Sequence, residues 1–378
     1  MQSLSRGDQL SRWDPRHFEI VVIDEFHHAH ARTYRRLLDR LQPQELLGLT
    51  ATPERSDGTN VAAEFFEGRI ASQMRLWDAL EKDLLVPFHY FGIWDDLDLS
   101  RVRFTRGEYR LDELAKILDH NAARALKVLK AVQDQITDPT TMRALGFCVS
   151  VRHAQFMAES FTRAGLPAIA LSGESTTAQR EEGLAALKAG EITSIFAVDL
   201  FNEGLDIPEI DTVLMLRPTQ SATIFLQQLG RGLRRSPGKS VLTVLDFVGQ
   251  QHQQFRFDLK LRALTGLSRR RLVSSIEQGF PFLPSGSQIL LDRVAQREVL
   301  ENVRSQLSLS TKGLVSDVRQ HELPERDLEN RLWWYLREVD RSLTDIYGSP
   351  SRTYERKELP GCWSAVQQLG PPGACGSC

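Results

Sequence analysis

Short runs of apolar residues alternate with stretches of helical periodicity over roughly residues 19–261. The run Glu19–Ile23 is rich in β-branched residues, which is typical of a buried parallel strand, and Glu45–Thr50 predicts a second strand. Apolar positions recur at the helical period over Ala29–Leu41 and Leu111–Ile136. The pattern therefore predicts strands and helices that alternate along the chain.

A longer series of alternating elements follows. Its predicted strands and helices, in chain order, are Leu145–Ser150, His153–Ala164, Ala168–Leu171, Thr177–Ala189, Ser194–Val198, Thr212–Leu216, Ala222–Leu233 and Val241–Phe247. Alternation of this kind favours doubly wound α/β layers built on parallel sheets. We therefore predict two α/β domains, residues 1–92 and 93–262, which the Trp94–Arg110 stretch separates.

The composition and the apolar pattern of the chain change after this series. A basic run, Arg269–Arg271, and a stretch rich in Pro, Gly and Ser precede two further helical patterns, Leu291–Leu307 and Glu325–Val339. We predict a separate, mostly helical C-terminal domain over residues 263–370, of uncertain role. The last residues, 371–378, have the composition of a disordered tail.

Composition narrows the class of protein. Apolar residues make up 41% of the 378 positions and charged residues 25%, which suits a soluble globular chain of two or three domains. The net charge of −2 means that any nucleic-acid site must be a local basic patch. No apolar run approaches the roughly 20 residues of a membrane span. Four cysteines and no apolar signal core predict a cytoplasmic protein without membrane partners.

Two carboxylates follow the first predicted strand directly. Asp24 and Glu25 stand where parallel strands of α/β sheets present ligand-binding groups. An Asp at that edge can hold Mg²⁺, usually through water, while the adjacent Glu can orient or deprotonate an attacking water. The alternative is an acid pair that merely caps a following helix.

A second candidate site lies on the predicted helix Ala222–Leu233 and just beyond it. The run Gln227–Arg234 reads QQLGRGLR, and the three-residue spacing of Arg231 and Arg234 places both on one helical face. Two guanidinium groups on one face suit a phosphate well. A solvated basic face is the alternative for this run taken alone.

Together these motifs resemble those of the superfamily 2 DExH helicases. VVIDEFHH followed by LGLTATPER resembles helicase motifs II and III, and QQLGRGLR resembles motif VI. Residues 197–208 resemble motif V, the strand end 147–150 resembles motif IV, and residues 2–4 resemble motif Ic. The resemblance covers about residues 17–250. It is similar both to bacterial DExH proteins with an additional C-terminal domain and to the motor subunits of restriction enzymes.

The resemblance implies two RecA-like domains, of which the first is incomplete here, and ATP with Mg²⁺ as cofactors. Asp24 would ligate the magnesium ion and Glu25 would be the catalytic base. Arg234 would be the arginine finger, Arg231 a second contact to the γ-phosphate, and Gln227 a further catalytic member of the motif.

Other positions would receive binding roles by the same resemblance. His27 would link the ATP site to the second domain, Gly204 would allow close backbone approach, and Asp206 would contact the ribose or the arginine-bearing helix. The predicted nucleic-acid contacts are Thr50, Thr52, Ser150, Ser172 and Gly173. For the last three of these, an ordinary βα turn is the alternative.

A P-loop, GxxxxGK[ST], is what the family uses to hold the β- and γ-phosphates. The nearest match, Gly238-Lys239-Ser240, has Leu233 where the first glycine should be and lies between a helix and a strand, so it is interpreted as a turn. The expectation is an N-terminally truncated product with feeble nucleotide binding and ATPase activity near background.

Three functions remain open at this point. The first is an ATP-dependent helicase or translocase that moves on nucleic acid, with DNA favoured over RNA. The second is a catalytically inactive remnant that binds nucleic acid or a partner. The third is the motor part of a restriction system, which would need a nuclease elsewhere.

Overall fold

The computed structural model describes residues 13–26, 29, 31–50, 61–105, 107–198, 207–267, 269–281, 283 and 286–307. The chain divides into two compact units. One comprises Met1–Ala71 with Leu307–Cys378, and the other comprises Ser72–Gln306. Each unit is described by itself below.

The first unit contains a small parallel sheet. Its strands β1 (Ile20–Ile23) and β2 (Glu45–Gly48) pair in parallel, as the apolar pattern predicts, with helices α1 (Arg32–Arg40) and α2 (Val61–Phe65) beside them. A buried cluster joins the sheet to both helices. Its members are Ile23, Phe26, Ala29, Leu37 and Val61.

The prediction that Glu19–Ile23 is a buried strand is wrong for one of its two faces. Ile20 is 66% exposed and Val22 54% exposed, and Leu47 on the second strand and Leu49 just after it are exposed as well. The reason is that successive side chains of a strand point to opposite faces. Both described helices of this unit pack on the face that carries Ile23.

The second unit is built around a seven-stranded sheet in which every pairing is parallel. The strands are β3 (Phe88–Asp98), β6 (Ala144–Phe147), β7 (Ala168–Leu171), β8 (Ser194–Ala197), β9 (Thr212–Met215), β10 (Leu242–Gln250) and β11 (Gln288–Leu291). Their order across the sheet is β11-β3-β10-β9-β6-β8-β7. A short antiparallel hairpin, β4 (Phe104–Thr105) with β5 (Glu108–Tyr109), follows β3.

Helices connect these strands and cover both sides of the sheet with apolar clusters. They are α3 (Leu76–Glu81), α4 (Leu111–Leu118), α5 (Ala122–Gln135), α6 (Val151–Arg163), α7 (Thr177–Ala189), α8 (Ala222–Leu233), α9 (Phe257–Thr265), α10 (Arg269–Glu277) and α11 (Arg293–Leu307). The helical pattern predicted over Leu111–Ile136 is two helices, broken where His120 adopts a left-handed conformation with φ of 58°.

The structure differs from the predicted domain boundaries at both ends of this unit. The boundary between residues 92 and 93 falls inside β3, whose run from Phe88 pairs with β10 in the second sheet. The segment after residue 263 also contributes to that sheet, because β11 pairs with β3. The apolar residues Leu272, Ile276 and Val299 bury against the same core. The chain from Ser72 to Gln306 therefore forms one α/β unit. The predicted helix Glu325–Val339 and the tail lie outside the described residues.

Candidate functional site

The acidic turn after β1 is held in place by its aromatic neighbour. The buried ring of Phe26 packs on Phe65 and Phe66, and its N–H donates to the carbonyl of Leu49, 2.8 Å away. A Cβ atom on Gly48 would lie only 2.7 Å from the Phe26 ring, so any other residue there would displace the ring. The turn is therefore fixed against the end of β2.

Asp24 and Glu25 occupy this turn, at the carboxyl end of a parallel strand as predicted. The Asp24 side chain is exposed, and its Oδ1 accepts from the Glu25 N–H at 2.8 Å. Glu25 is half-buried and adopts a left-handed backbone with φ of 52°, a conformation that clusters at functional sites in non-glycine residues. An accessible carboxylate here fits a water-mediated Mg²⁺ ion.

Thr50, a predicted nucleic-acid contact, is close to the acidic turn. It follows Leu49, which donates to the Ile23 carbonyl at 2.9 Å and accepts from Phe26. The ends of the neighbouring strands β1 and β2, where the segments that resemble motifs II and III begin, are therefore hydrogen-bonded to each other. His27 and Thr52 lie outside the described residues. Within the described part of the chain, no group of three or more His, Cys, Asp or Glu could hold a metal ion by itself.

The segment that resembles motif VI occupies α8 in the second unit. Gln227 and Arg231 are four positions apart on this helix, so they share a face, and both are half-buried. Gln228 and Leu229 point into the core. The helix is therefore anchored by one face and presents Gln227 and Arg231 on another.

Arg234 does not lie on the helix, which corrects the prediction that Arg231 and Arg234 share a helical face. The helix ends at Leu233, and Arg234 has an extended backbone with φ of −64° and ψ of 142°. The cause is tertiary. The Leu233 carbonyl accepts from Val86 at 2.9 Å, and Leu85 forms an antiparallel bridge with Arg234. The exposed Arg234 therefore leaves the helix end at a defined point.

The two loops of this unit that are predicted to contact nucleic acid, and the segment that resembles motif V, follow three neighbouring parallel strands. Strand β8 lies between β6 and β7 in the sheet. Ser150 follows β6, Ser172 and Gly173 follow β7, and the segment that resembles motif V follows β8. Because neighbouring strands are about 4.8 Å apart, the outer two loops start roughly 10 Å from each other on one edge of the sheet. Gly204 and Asp206 lie outside the described residues.

The hydroxyls in these loops already serve the fold. Ser150 caps α6, since its Oγ accepts from the His153 N–H at 3.0 Å and donates to Asp119. The Ser172 Oγ accepts from the Glu174 N–H at 3.2 Å. These contacts are those of βα turns, the alternative that the sequence leaves open. Gly173 is exposed, and its carbonyl accepts from Arg180 at 2.9 Å.

Buried charges behind this edge are a feature that the sequence pattern does not indicate. Arg124 on α5 donates to Asp95 at 2.9 Å, with side chains that are 3% and 1% exposed. Burial, and secondly the charge of Arg124, lower the pKa of His153 to about 3, so this imidazole is neutral. Burial raises the pKa of the Cys148 thiol. A buried ion pair such as Arg124 with Asp95 cannot be predicted from local sequence, because its two residues come from different elements.

Comparisons with known proteins agree with this architecture. Residues 127–236 match the helicase conserved C-terminal domain, and residues 1–55 match the family described as type III restriction enzyme, res subunit. IRC3 of Saccharomyces cerevisiae, named for ATP-dependent helicase activity, is 26% identical over 255 residues, which are 66% of this chain and 36% of the relative. A 51.5 kDa protein of a Lactococcus phage is 26% identical over 62% of this chain and 50% of its own length. The chain thus spans a third to a half of these relatives.

Solved structures show the same fold at low identity. An HsdR subunit fragment of a type I restriction enzyme from Vibrio vulnificus superposes with a TM-score of 0.53 at 18% identity, over 75% of this chain and 49% of that one. The type ISP restriction-modification enzyme LlaBIII, bound to DNA, gives 0.56 at 15% identity over 87% of this chain and 25% of that one.

The predicted fold class is confirmed, because the parallel sheet is that of the RecA-like helicase domains. No helix within the described ranges is both long and apolar enough to cross a membrane. Residues 127–236 carry a helicase conserved C-terminal domain, and the DExH strand end and the QxxGRxxR segment resemble those of the superfamily 2 helicases.

Proposed function

We propose that this chain acts in an ATP-dependent motor that couples ATP hydrolysis to movement on nucleic acid, with DNA favoured over RNA. The observation that carries the proposal is that the described loops after β6 and β7, the strands on either side of β8, leave one edge of the sheet in the unit that also carries α8. A row of such loops can follow a phosphate backbone, and such contacts position the protein without reading sequence.

The nucleotide chemistry is assigned to the two motifs by family resemblance. Asp24 would hold Mg²⁺ through water, and the exposed position of its carboxylate supports this. The metal ion, when bound, would neutralise charge that develops on the phosphates. Glu25 would orient and deprotonate the attacking water. The left-handed backbone of Glu25 fixes the position from which its side chain extends.

The arginines of the second unit would stabilise the transferred phosphoryl group. Arg234 would be the finger and Arg231 a second phosphate contact, with Gln227 on the same face as Arg231. Arginine fingers in other nucleotide hydrolases contribute about 10³–10⁵ in rate. Residues outside the described ranges complete this assignment: His27, Gly204 and Asp206 toward the nucleotide, and Thr52 toward nucleic acid.

Nucleic acid would be held by backbone amides and by the hydroxyls that remain accessible. Ser150 and Ser172 are engaged in turns, which leaves the loop N–H groups and Gly173 as the more direct contacts. Thr50 would couple hydrolysis to movement. DNA is favoured because LlaBIII is described as an enzyme bound to DNA.

Two other functions have an observation in their favour. The match of residues 1–55 to a restriction-enzyme subunit family favours a motor that serves a restriction system. The sequence contains no GxxxxGK[ST] run in a strand-to-helix turn, which favours binding of nucleic acid or a partner without hydrolysis.

The test combines phosphate release with DNA binding on the full chain. Because this sequence contains no P-loop, we expect ATP turnover near background from the chain alone. Any DNA-stimulated turnover should be abolished by Glu25→Gln and lowered by about 10³-fold or more by Arg234→Ala. Arg163→Ala is the matched control, because Arg163 is an exposed arginine in the last turn of α6. It should leave turnover unchanged.

The alternatives predict different results. DNA binding without any nucleotide binding in a titration would support the binding function and refute the motor. Turnover that survives in Glu25→Gln would refute the assigned roles. Strand displacement of a DNA triplex without duplex unwinding would identify a translocase of the kind that a restriction system needs.

A further inference from the structure

The turn after α8 contains the Gly238-Lys239-Ser240 run that the sequence excludes as a phosphate cradle. The Lys239 N–H donates to the Ser236 carbonyl at 3.1 Å, across Pro237 and a Gly238 with φ of +80°. Proline and glycine at these two positions are typical of a type II turn. The turn reverses the chain between the end of α8 and the strand β10.

The Lys239 side chain folds back from this turn onto two carbonyl groups. Its Nζ donates to the Arg234 carbonyl at 2.9 Å and to the Pro208 carbonyl at 2.9 Å. Arg234 ends the segment that resembles motif VI, and Pro208 ends the segment that resembles motif V. One ammonium group therefore joins the exits of the two segments.

Placing the Lys239 ammonium group in this partly buried position costs free energy of desolvation. Burial lowers the pKa of Lys239 to about 8, although the carboxylates of Asp211 and Glu209 act in the opposite direction. A buried ammonium group is expensive unless its hydrogens are paired, and here two carbonyl groups pair with it. The other charged groups around it are Arg143 beside Asp211, Lys188 beside Glu209, and Arg234 and Arg235 on its own segment.

We propose that Lys239 is a positioning residue for Arg234, which acts by holding the Arg234 and Pro208 carbonyls together at the exit of α8. The backbone of Arg234 is extended, and the Lys239 ammonium group donates to its carbonyl. The inference rests on the proposed function insofar as Arg234 contacts a nucleotide. The contact itself can be tested without turnover.

The first experiment measures hydrogen exchange on the full chain. Lys239→Met keeps the length of the side chain and removes the ammonium group. We expect amide exchange in residues 207–211 and 234–240 to accelerate by about tenfold or more. Lys239→Arg should restore most of the protection. Lys130→Met, a change at an exposed position of α5, is the control and should leave both segments as in the wild type. Unchanged exchange in Lys239→Met would overturn the inference.

The second experiment uses MgATP and a single-stranded DNA. Lys239→Met should lower kcat by about 10²-fold with KM within about twofold, because the finger is misplaced rather than removed. Wild-type kcat should fall as pH rises through about 8, where the ammonium group is lost, and Lys239→Arg should not show this fall. A kcat that Lys239→Met leaves at the wild-type value would overturn the positioning role.

The two experiments fail in different ways. If wild-type ATP turnover stays at background, the exchange experiment alone decides on the Lys239 contact, and the nucleotide-binding titration decides on the proposed function. Thermal unfolding of every variant shows whether it folds. If Lys239→Met does not fold, Lys239→Gln takes its place in both experiments with the same expected results.

Discussion

The strongest stability prediction concerns the buried ion pair behind α8. Lys260 on α9 donates to Asp246 on β10, and their side chains are only 5% and 6% exposed. The hydroxyl of the buried Tyr90 donates to the same carboxylate. The ammonium group also lies 5.5 Å from the centroid of the Phe225 ring, which belongs to α8. The pair thus holds α9, β10 and β3 together under the helix that carries Arg231.

Lys260→Met removes the positive charge and leaves the carboxylate buried. Breaking a buried pair from one side costs about 3–5 kcal/mol, because the remaining charge is uncompensated. For a unit of this size each kcal/mol shifts the melting temperature by roughly 2–4 °C, so we expect a fall of about 6–20 °C. Scanning calorimetry of the full chain measures the shift.

A matched pair on the surface provides the control. Lys127 and Asp96 also form an ion pair, with side chains 39% and 65% exposed. Exposed pairs contribute about 0–1 kcal/mol, so Lys127→Met should shift the melting temperature by only a few degrees. The double variant Lys260→Met with Asp246→Asn removes both buried charges. It should be more stable than the sum of the single effects by about 1–3 kcal/mol.

The reasoning is refuted if Lys260→Met and Lys127→Met have equal effects. It is also refuted if the double variant shows the plain sum of the two single losses. Either result would mean that burial of the pair does not set its energy.

Three further predictions follow from the described contacts. Gly232→Ala should destabilise by about 1–3 kcal/mol, since the new Cβ would lie 2.3 Å from Leu242 Cδ1, and chemical denaturation measures this. Ser150→Ala should cost about 1 kcal/mol through loss of the α6 cap, while Ser150→Thr should keep most of it; equal losses would exclude capping as the cause. His153 has a folded pKa of about 3, below its ordinary value near 6.5, so its contribution to stability is complete above pH 6.5 and declines as pH falls toward 3. Unfolding at pH 7 and pH 5 should therefore differ more in the wild type than in His153→Asn.

Much of the second unit is readable from local sequence. Strands such as Ala168–Leu171 and helices such as Thr177–Ala189 begin and end where the apolar pattern and the caps predict, as in the capping box of Thr176 and Gln179. The positions of the helicase-like motifs at strand ends could also be predicted, because each motif lies within a few residues of its strand in the sequence. Local periodicity and capping depend only on neighbours in the chain.

Contacts between distant segments are what the sequence could not supply. The place of β11 at the edge of the sheet, the exposed face of β1, and the end of α8 at Leu233 all depend on residues far along the chain. The pairing of Lys260 with Asp246 has the same origin.

The sequence by itself therefore determined the resemblance to helicases, the alternation of strands and helices, and the residue types at Asp24, Glu25 and Arg231. Only the tertiary structure decided where Arg234 leaves its helix and that Lys239 holds its carbonyl. The physical reason is that a motif is a local pattern of residues, whereas the position of a side chain is set by partners that folding brings from elsewhere in the chain.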